Sequence, residues 1–83
     1  MRSDVMHELI GYDPSTNRIV YREKIPPISM HAVLLLVGPD ENDPDAIDSY
    51  AIELRVANDI IELAKLRKGP QDLEYFVESL AFA

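Results

Sequence analysis

Five residues, Asp13-Pro14-Ser15-Thr16-Asn17, constrain this chain more than any others. Pro14 presets φ, Asp13 can accept from backbone N–H groups ahead of it, and Asn17 tolerates a left-handed conformation. They stand between HELIGY (residues 7 to 12) and RIVYREKI (residues 18 to 25), two flanks rich in Ile, Val and Tyr. That arrangement predicts a β-hairpin. In its second strand Ile19, Tyr21 and Ile25 share one face with Glu23, and this face should meet the core. Arg18, Val20, Arg22 and Lys24 share the other face and should meet water. The cationic stripe of Arg18, Arg22 and Lys24 suits either edge protection or contact with an acidic patch, and charge on an exposed edge discourages further pairing.

Pro26-Pro27 ends the second strand, because neither residue can donate to a ladder. ISMHAVLLLVGP follows, residues 28 to 39. Ser29 suits an N-cap, Gly38 stands where a C-terminal glycine belongs and Pro39 lies just beyond, so the punctuation predicts a helix over 29–37. Residues 39–48 are rich in proline and aspartate and form a loop. Residues 49–54 alternate weakly, as in a short strand. RVANDIIELAKLRKG, residues 55 to 69, carries Ala57, Ile60, Ile61 and Ala64 at helical spacing, widened by Val56 and Leu63. Lys65, Arg67 and Lys68 would then sit in the last turn of this helix, favoured by its dipole, with Gly69 ending it.

The tail, QDLEYFVESLAFA, satisfies two patterns. As a helix, Pro70 would open it and Leu73, Phe76, Val77 and Leu80 would form a stripe. As a strand, Tyr75-Phe76-Val77 has strong β preference and would extend a sheet that a lone hairpin needs. GYDPSTNRIVYREKIP, the apolar helix ending in glycine, DPDAIDSY, a second helix and the closing YFVE together resemble a family of small bacterial proteins of unknown function. The resemblance covers most of the chain and implies a strand for YFVE. It implies no activity and no site residues.

The chain of 83 residues is read as one domain, 1–83. A chain this size buries roughly 60–65% of its unfolded surface, just enough to fold alone. There is no cysteine, so neither disulfides nor thiolates supplement the core. The net charge, 8 − 15 = −7, repels phosphate backbones and argues against nucleic-acid binding. The longest apolar run, Ala32 to Val37, is far short of the ~20 residues that span a bilayer. Met1-Arg2-Ser3-Asp4 leads into no signal-peptide core, and the cytoplasm is the expected location.

The densest chemistry lies in GPDENDPDAID, residues 38 to 48, with Asp40, Glu41, Asp43, Asp45 and Asp48 and no cation. As a calcium loop starting at Asp40 it fits at Asn42, but it places Pro44 at position five, Asp45 at the glycine and Ala51 at the final glutamate. The segment is therefore read as a solvated negative face, with the five carboxylates as candidate contacts for a basic partner. Neither His7 nor His31 has an evident catalytic partner. His31 is expected to be partly buried, and His7 to face solvent or pack at a sheet edge. Ser29 is explained by capping better than by nucleophilic attack. Asp59 with Glu62, and Glu74 with Glu78, read as solvated surface. No nucleophile elbow, P-loop or dinucleotide fingerprint exists, and three glycines leave little room for a phosphate cradle.

The expected fold is α+β: a small antiparallel sheet, made of the hairpin plus one or two further strands, with two helices packed on one face. Core candidates are Leu9, Ile19, Tyr21, Ile25, Val33, Leu34, Leu36, Ile60, Ile61, Leu63, Phe76 and Leu80. The small core, with Tyr75, Phe76, Leu80 and Phe82 near the C-terminus, predicts a homodimer. The function expected is a non-enzymatic protein–protein interaction module with no cofactor, either homodimeric or an immunity-like protein for a basic toxin, by analogy of fold alone. The alternative is a regulator that binds a small ligand or divalent metal through Tyr50, His31 and the loop carboxylates.

Overall fold

The computed structural model describes residues 5–81. Phe82 and the first four residues, used in the expectations above, lie outside the described residues. Among the described residues four strands and two α-helices follow one another: β1 (Val5–Tyr12), β2 (Ile19–Ile25), α1 (Met30–Val37), β3 (Tyr50–Ile52), α2 (Leu54–Leu63) and β4 (Glu74–Ala81). The strands form one antiparallel sheet in the order β2-β1-β4-β3. This is the α+β architecture expected from the sequence, and YFVE lies within β4. Among the described residues no helix is long and apolar enough to cross a membrane.

The turn between β1 and β2 closes as its chemistry requires. Asp13 accepts at Oδ1 from the Ser15 N–H at 2.8 Å and from the Ser15 hydroxyl at 2.7 Å. Asn17 takes a left-handed φ of 58°. The pairing then slips: Gly11 faces Tyr21, but Tyr12 faces Ile19, so Val20 is the extra residue of a bulge. The slip moves Ile19 to the sheet face that carries Tyr12, away from the helices, where it is exposed. Ile19 is thus not a core residue, although Tyr21 and Ile25 are fully buried as expected.

Both helices cover the face carrying His7, Leu9, Tyr21, Ile25, Tyr75 and Val77. Leu9, Tyr21, Ile25 and Val77 meet Met30 and Val33 of α1 and the Ala57, Ile60, Ile61 and Ala64 stripe of α2. Leu36 and Leu63 fall on the outer sides of their helices and are exposed. Phe76 and Leu80 point to the opposite sheet face, because strand alternation replaces the helical stripe. Tyr75, taken above as surface for a second copy, is buried.

Helix ends depart from expectation in two places. Ser29 precedes α1 but makes no capping hydrogen bond, because a 3-10 turn over Pro27–Ser29 leads into the helix. Gly38 closes α1 as expected, with a left-handed φ of 62° and its N–H on the Leu34 carbonyl. α2 stops at Leu63, six residues before Gly69. Lys65 adopts φ 56°, Leu66 N–H bonds the Ile61 carbonyl and Lys65 N–H bonds the Glu62 carbonyl. That pairing is a Schellman ending built on lysine rather than glycine. Lys65, Arg67 and Lys68 therefore lie beyond the helix.

The freed segment drapes over the sheet. The Tyr21 hydroxyl donates to the Arg67 carbonyl at 2.7 Å, and the Tyr75 hydroxyl to the Pro70 carbonyl at 2.7 Å. The two rings meet edge to face at 5.6 Å. Arg67 stacks 4.5 Å from the Tyr21 ring centre and pairs with Glu23 at 3.0 Å. Burial, and then the nearby Glu23 charge, pushes the Tyr21 hydroxyl up to about 12. Gly69 is required here by close approach: a Cβ would overlap the Tyr75 hydroxyl and come within 2.8 Å of the Tyr21 ring. Gly69→Ala is expected to destabilise the fold by about 1–3 kcal/mol through this overpacking, read by urea denaturation. Unchanged stability would show that residues 65–71 lift away at no cost.

Candidate functional site

Two neighbouring surfaces hold the unexplained chemistry: the acidic loop and the outer side of α1, joined at Gly38. The loop is built around Asp43. Its Oδ1 accepts from the Ile47 N–H at 2.9 Å, and its Oδ2 accepts from the Asp48 N–H at 3.0 Å and the Tyr50 hydroxyl at 2.7 Å. The Asp48 N–H first, then the Tyr50 hydroxyl and the Ile47 N–H, hold this carboxyl below the usual aspartate range. The same bond to Asp43, before any burial, raises the Tyr50 hydroxyl. Asp40 adds a second turn, accepting from the Asn42 N–H at 2.9 Å, while its own N–H reaches the Tyr50 oxygen at 3.2 Å.

The sheet clamps this loop from below. His7 is buried, and its Nε2 lies 2.9 Å from the Asp45 carbonyl and 3.1 Å from the Ala46 carbonyl. Both neighbours are acceptors, so Nε2 carries the proton, and the buried Nδ1 has no hydrogen-bond partner among the described residues. The Ser79 hydroxyl of β4 donates to the Ile47 carbonyl. Ala46, fully buried at a φ of 51°, is the residue that dips between them. His7 is therefore neither at a solvent face nor at a sheet edge. It is the clamp, and nothing in an alternating strand distinguishes it, because the loop it holds is 38 residues away. His31, expected to be partly buried, is exposed on α1.

The five candidate carboxylates are thus divided by geometry. Asp43 turns inward onto the loop's own backbone, and Asp45 is half-buried with its carbonyl on His7. Asp40, Glu41 and Asp48 are exposed on the resulting frame. Among the described residues, no group of three or more histidine, aspartate or glutamate side chains could hold a metal ion.

α1 presents a different surface. Met30 and Val33 are buried, yet MHAVLLLV contains no Asp, Glu, Lys or Arg on any side. Its outer side consists of His31, Ala32, Leu35 and Leu36, with Ile28 on the turn before it. Ile28 is 94% exposed and Leu35 76%. A helix apolar all round is normally enclosed, and this one is enclosed on one side only.

Residues 6–78 match a family model described as a domain of unknown function, DUF7683. The chain belongs to this family. The resemblance read from the hairpin, DPDAIDSY and YFVE is borne out, and the family's description assigns no activity. The matched span contains the acidic loop, its His7 clamp, and α1. No curated protein and no solved structure matches the chain.

Two further features lie elsewhere. On the sheet face opposite the helices, Glu8 stands directly between Lys24 and Glu78 across the strands, almost fully buried and 3.2 Å from the Arg22 Nε. Glu78 accepts from the Tyr12 hydroxyl at 3.3 Å and the Ser49 hydroxyl at 3.1 Å. Glu74 is exposed and shares this face, opposite Tyr12. An open groove of about 790 Å³ beside the end of α2 is lined by Ile61, Leu66, Lys65 and Lys68, and by the paired amides of Asn58 and Gln71.

The clamp and the hub each generate an expectation. His7→Leu leaves the buried Ala46 carbonyl and the partly buried Asp45 carbonyl without their donor, and is expected to cost about 1–3 kcal/mol and to open residues 40–49 to limited proteolysis. Asp43 has a folded pKa below its unfolded value, so its ionised form stabilises the fold above about pH 4. That contribution is lost as pH falls through the lower, folded value. Acid titration of loop amide shifts by NMR is expected to show the loop loosening in this range. Asp43→Asn is expected to flatten that pH dependence.

Proposed function

We propose that the protein is a non-enzymatic protein–protein interaction module that docks through the outer side of α1. The observation that carries this reading is the exposure of Leu35 on a helix without Asp, Glu, Lys or Arg, with Ile28 exposed on the turn before it. Burying one such side chain is worth about 1.5–3 kcal/mol, and the isolated chain leaves most of that unrealised. Contiguous exposed apolar surface of this kind characterises contact sites.

A specific observation also favours a contribution from the loop. Asp40, Glu41 and Asp48 are exposed on a frame that Asp43, His7 and Ser79 hold in place. Fixed carboxylates beside an apolar face would steer a basic partner and accelerate its approach, as a toxin-neutralising protein requires.

The test is retention of partners by the tagged protein in its native host, quantified by mass spectrometry. Wild type is expected to retain a stoichiometric protein, including untagged copies of itself, and Leu35→Asp to lose it while keeping its circular dichroism spectrum. Equal retention by Leu35→Asp would remove α1 from the account. Retention of α1-dependent partners whose association slows several-fold in Asp40→Asn/Glu41→Gln/Asp48→Asn would add the loop.

A further inference from the structure

We infer that the groove between α2 and the chain that follows it binds a small monocarboxylate with an apolar body. This site is separate from α1 and does not depend on the role proposed for that helix. Both of its walls come from one stretch of chain that doubles back. Asn58, Ile61 and Glu62 share one side of α2, and Lys65 stands just past its end. The returning segment supplies Leu66, Lys68 and Gln71. The Asn58 and Gln71 amides bridge the two walls, each donating to the other, at 3.0 and 3.3 Å. The Gly69 carbonyl can only accept, so its 3.2 Å bond fixes the Gln71 amide, and Gln71 in turn fixes Asn58. From that bridge to Lys65 the groove runs about 10 Å along α2. Its volume of about 790 Å³ lies within the range of small-ligand sites.

Charge selects the ligand. The chain carries fifteen acidic residues, yet the side chains of Lys65 and Lys68 make no ion pair or hydrogen bond among the described residues. Arg67, between them, is taken up by Glu23 and the Tyr21 ring. Glu62 also lines the groove, so its charged groups sum to 2 − 1 = +1. That sum matches a monoanion, and Glu62 opposes a dianion. Ile61 and Leu66 offer apolar surface to the rest of the ligand.

Lys65 separates a built site from a solvated surface. Its φ of 56° is left-handed, at a helix end where glycine is the usual residue. A side chain costs stability in that conformation, and residues held so cluster at functional sites. Glycine would end α2 with less strain and leave the groove one cation short. Lysine keeps the cation and bears the strain.

The isotope-labelled full chain is titrated with naphthalene-1-acetate and with octanoate, and its amide signals are followed by NMR. Saturable shifts are expected at Asn58, Leu66, Gly69 and Gln71 with at least one of the two. The matching neutral amide, naphthalene-1-acetamide or octanamide, is expected to bind at least tenfold more weakly. Sulfate is expected to compete poorly. Lys65→Gln and Lys68→Gln should each weaken binding several-fold, and Lys65→Arg should preserve it. Lys65→Gly separates binding from folding. It is expected to melt a few degrees above wild type while binding several-fold more weakly.

If neither carboxylate shifts these amides at millimolar concentration, the site is overturned. Shifts confined to residues 28–36 put the ligand on α1 and overturn it equally. Equal binding of acid and amide, or displacement by an equal concentration of sulfate, overturns the monocarboxylate. A Lys65→Gly chain that binds as wild type does, or melts below it, overturns the role given to Lys65.

Discussion

The pairing of β1 with β4 is the interaction on which the rest of this structure depends. β1 meets β2 through a local turn, which costs little entropy. Its other edge meets a strand that begins at residue 74, across most of the chain. Closing that distance is unfavourable until apolar surface is buried. Leu9 opposite Val77, and Gly11 opposite Tyr75, supply the burial. Gly11 is part of the condition, since a Cβ there would stand 2.8 Å from Leu73 and 2.9 Å from Tyr75. Once β4 is seated, its second edge is free for β3, and β3 brings in the end of the acidic loop. His7 and Ser79, opposite each other across the same pair of strands, then fasten that loop from two sides.

Features set by a few adjacent residues were legible in the sequence. The hairpin follows from Asp13 to Asn17, the end of α1 from Gly38, and the buried stripe of α2 from its alanines and isoleucines. Features set by a distant partner were not. Ile19 and Tyr21 have the same local pattern, and only the bulge opposite Gly11 separates them. Lys65 ends α2 although Gly69 is the better residue for a left-handed turn, because Gly69 is taken up by contact with Tyr21 and Tyr75. In the tail, Phe76 and Val77 serve a helical stripe and a strand alternation equally well. The family resemblance, and not periodicity, favoured the strand.

The candidate site divides along the same line. Five carboxylates in residues 40–48 are conspicuous in the sequence. That Asp43 is the hub of the loop and Asp40, Glu41 and Asp48 its exterior depends on where Tyr50 and three backbone N–H groups come to rest. The outer side of α1 was less legible still. A helix without Asp, Glu, Lys or Arg on any side does not declare which side will be enclosed. The sheet decides it, by meeting Met30 and Val33.

The loop and the helix gain significance from being neighbours. A chain with strong net negative charge resists most encounters with its own kind and with other acidic proteins, which removes many wrong associations. A neutral helix face set into that surface is the place where an apolar contact meets least resistance. The contrast works only if the charges stay where they are. Asp43 engages both oxygens with the Ile47 and Asp48 N–H groups and the Tyr50 hydroxyl, and His7 holds two carbonyls of the same segment, so the backbone that carries the exposed carboxylates is fixed from within. In the proposed contact, added salt would screen the repulsion over about 10 Å at 0.1 M and leave the apolar contact in place, so its selectivity would be electrostatic and its strength apolar.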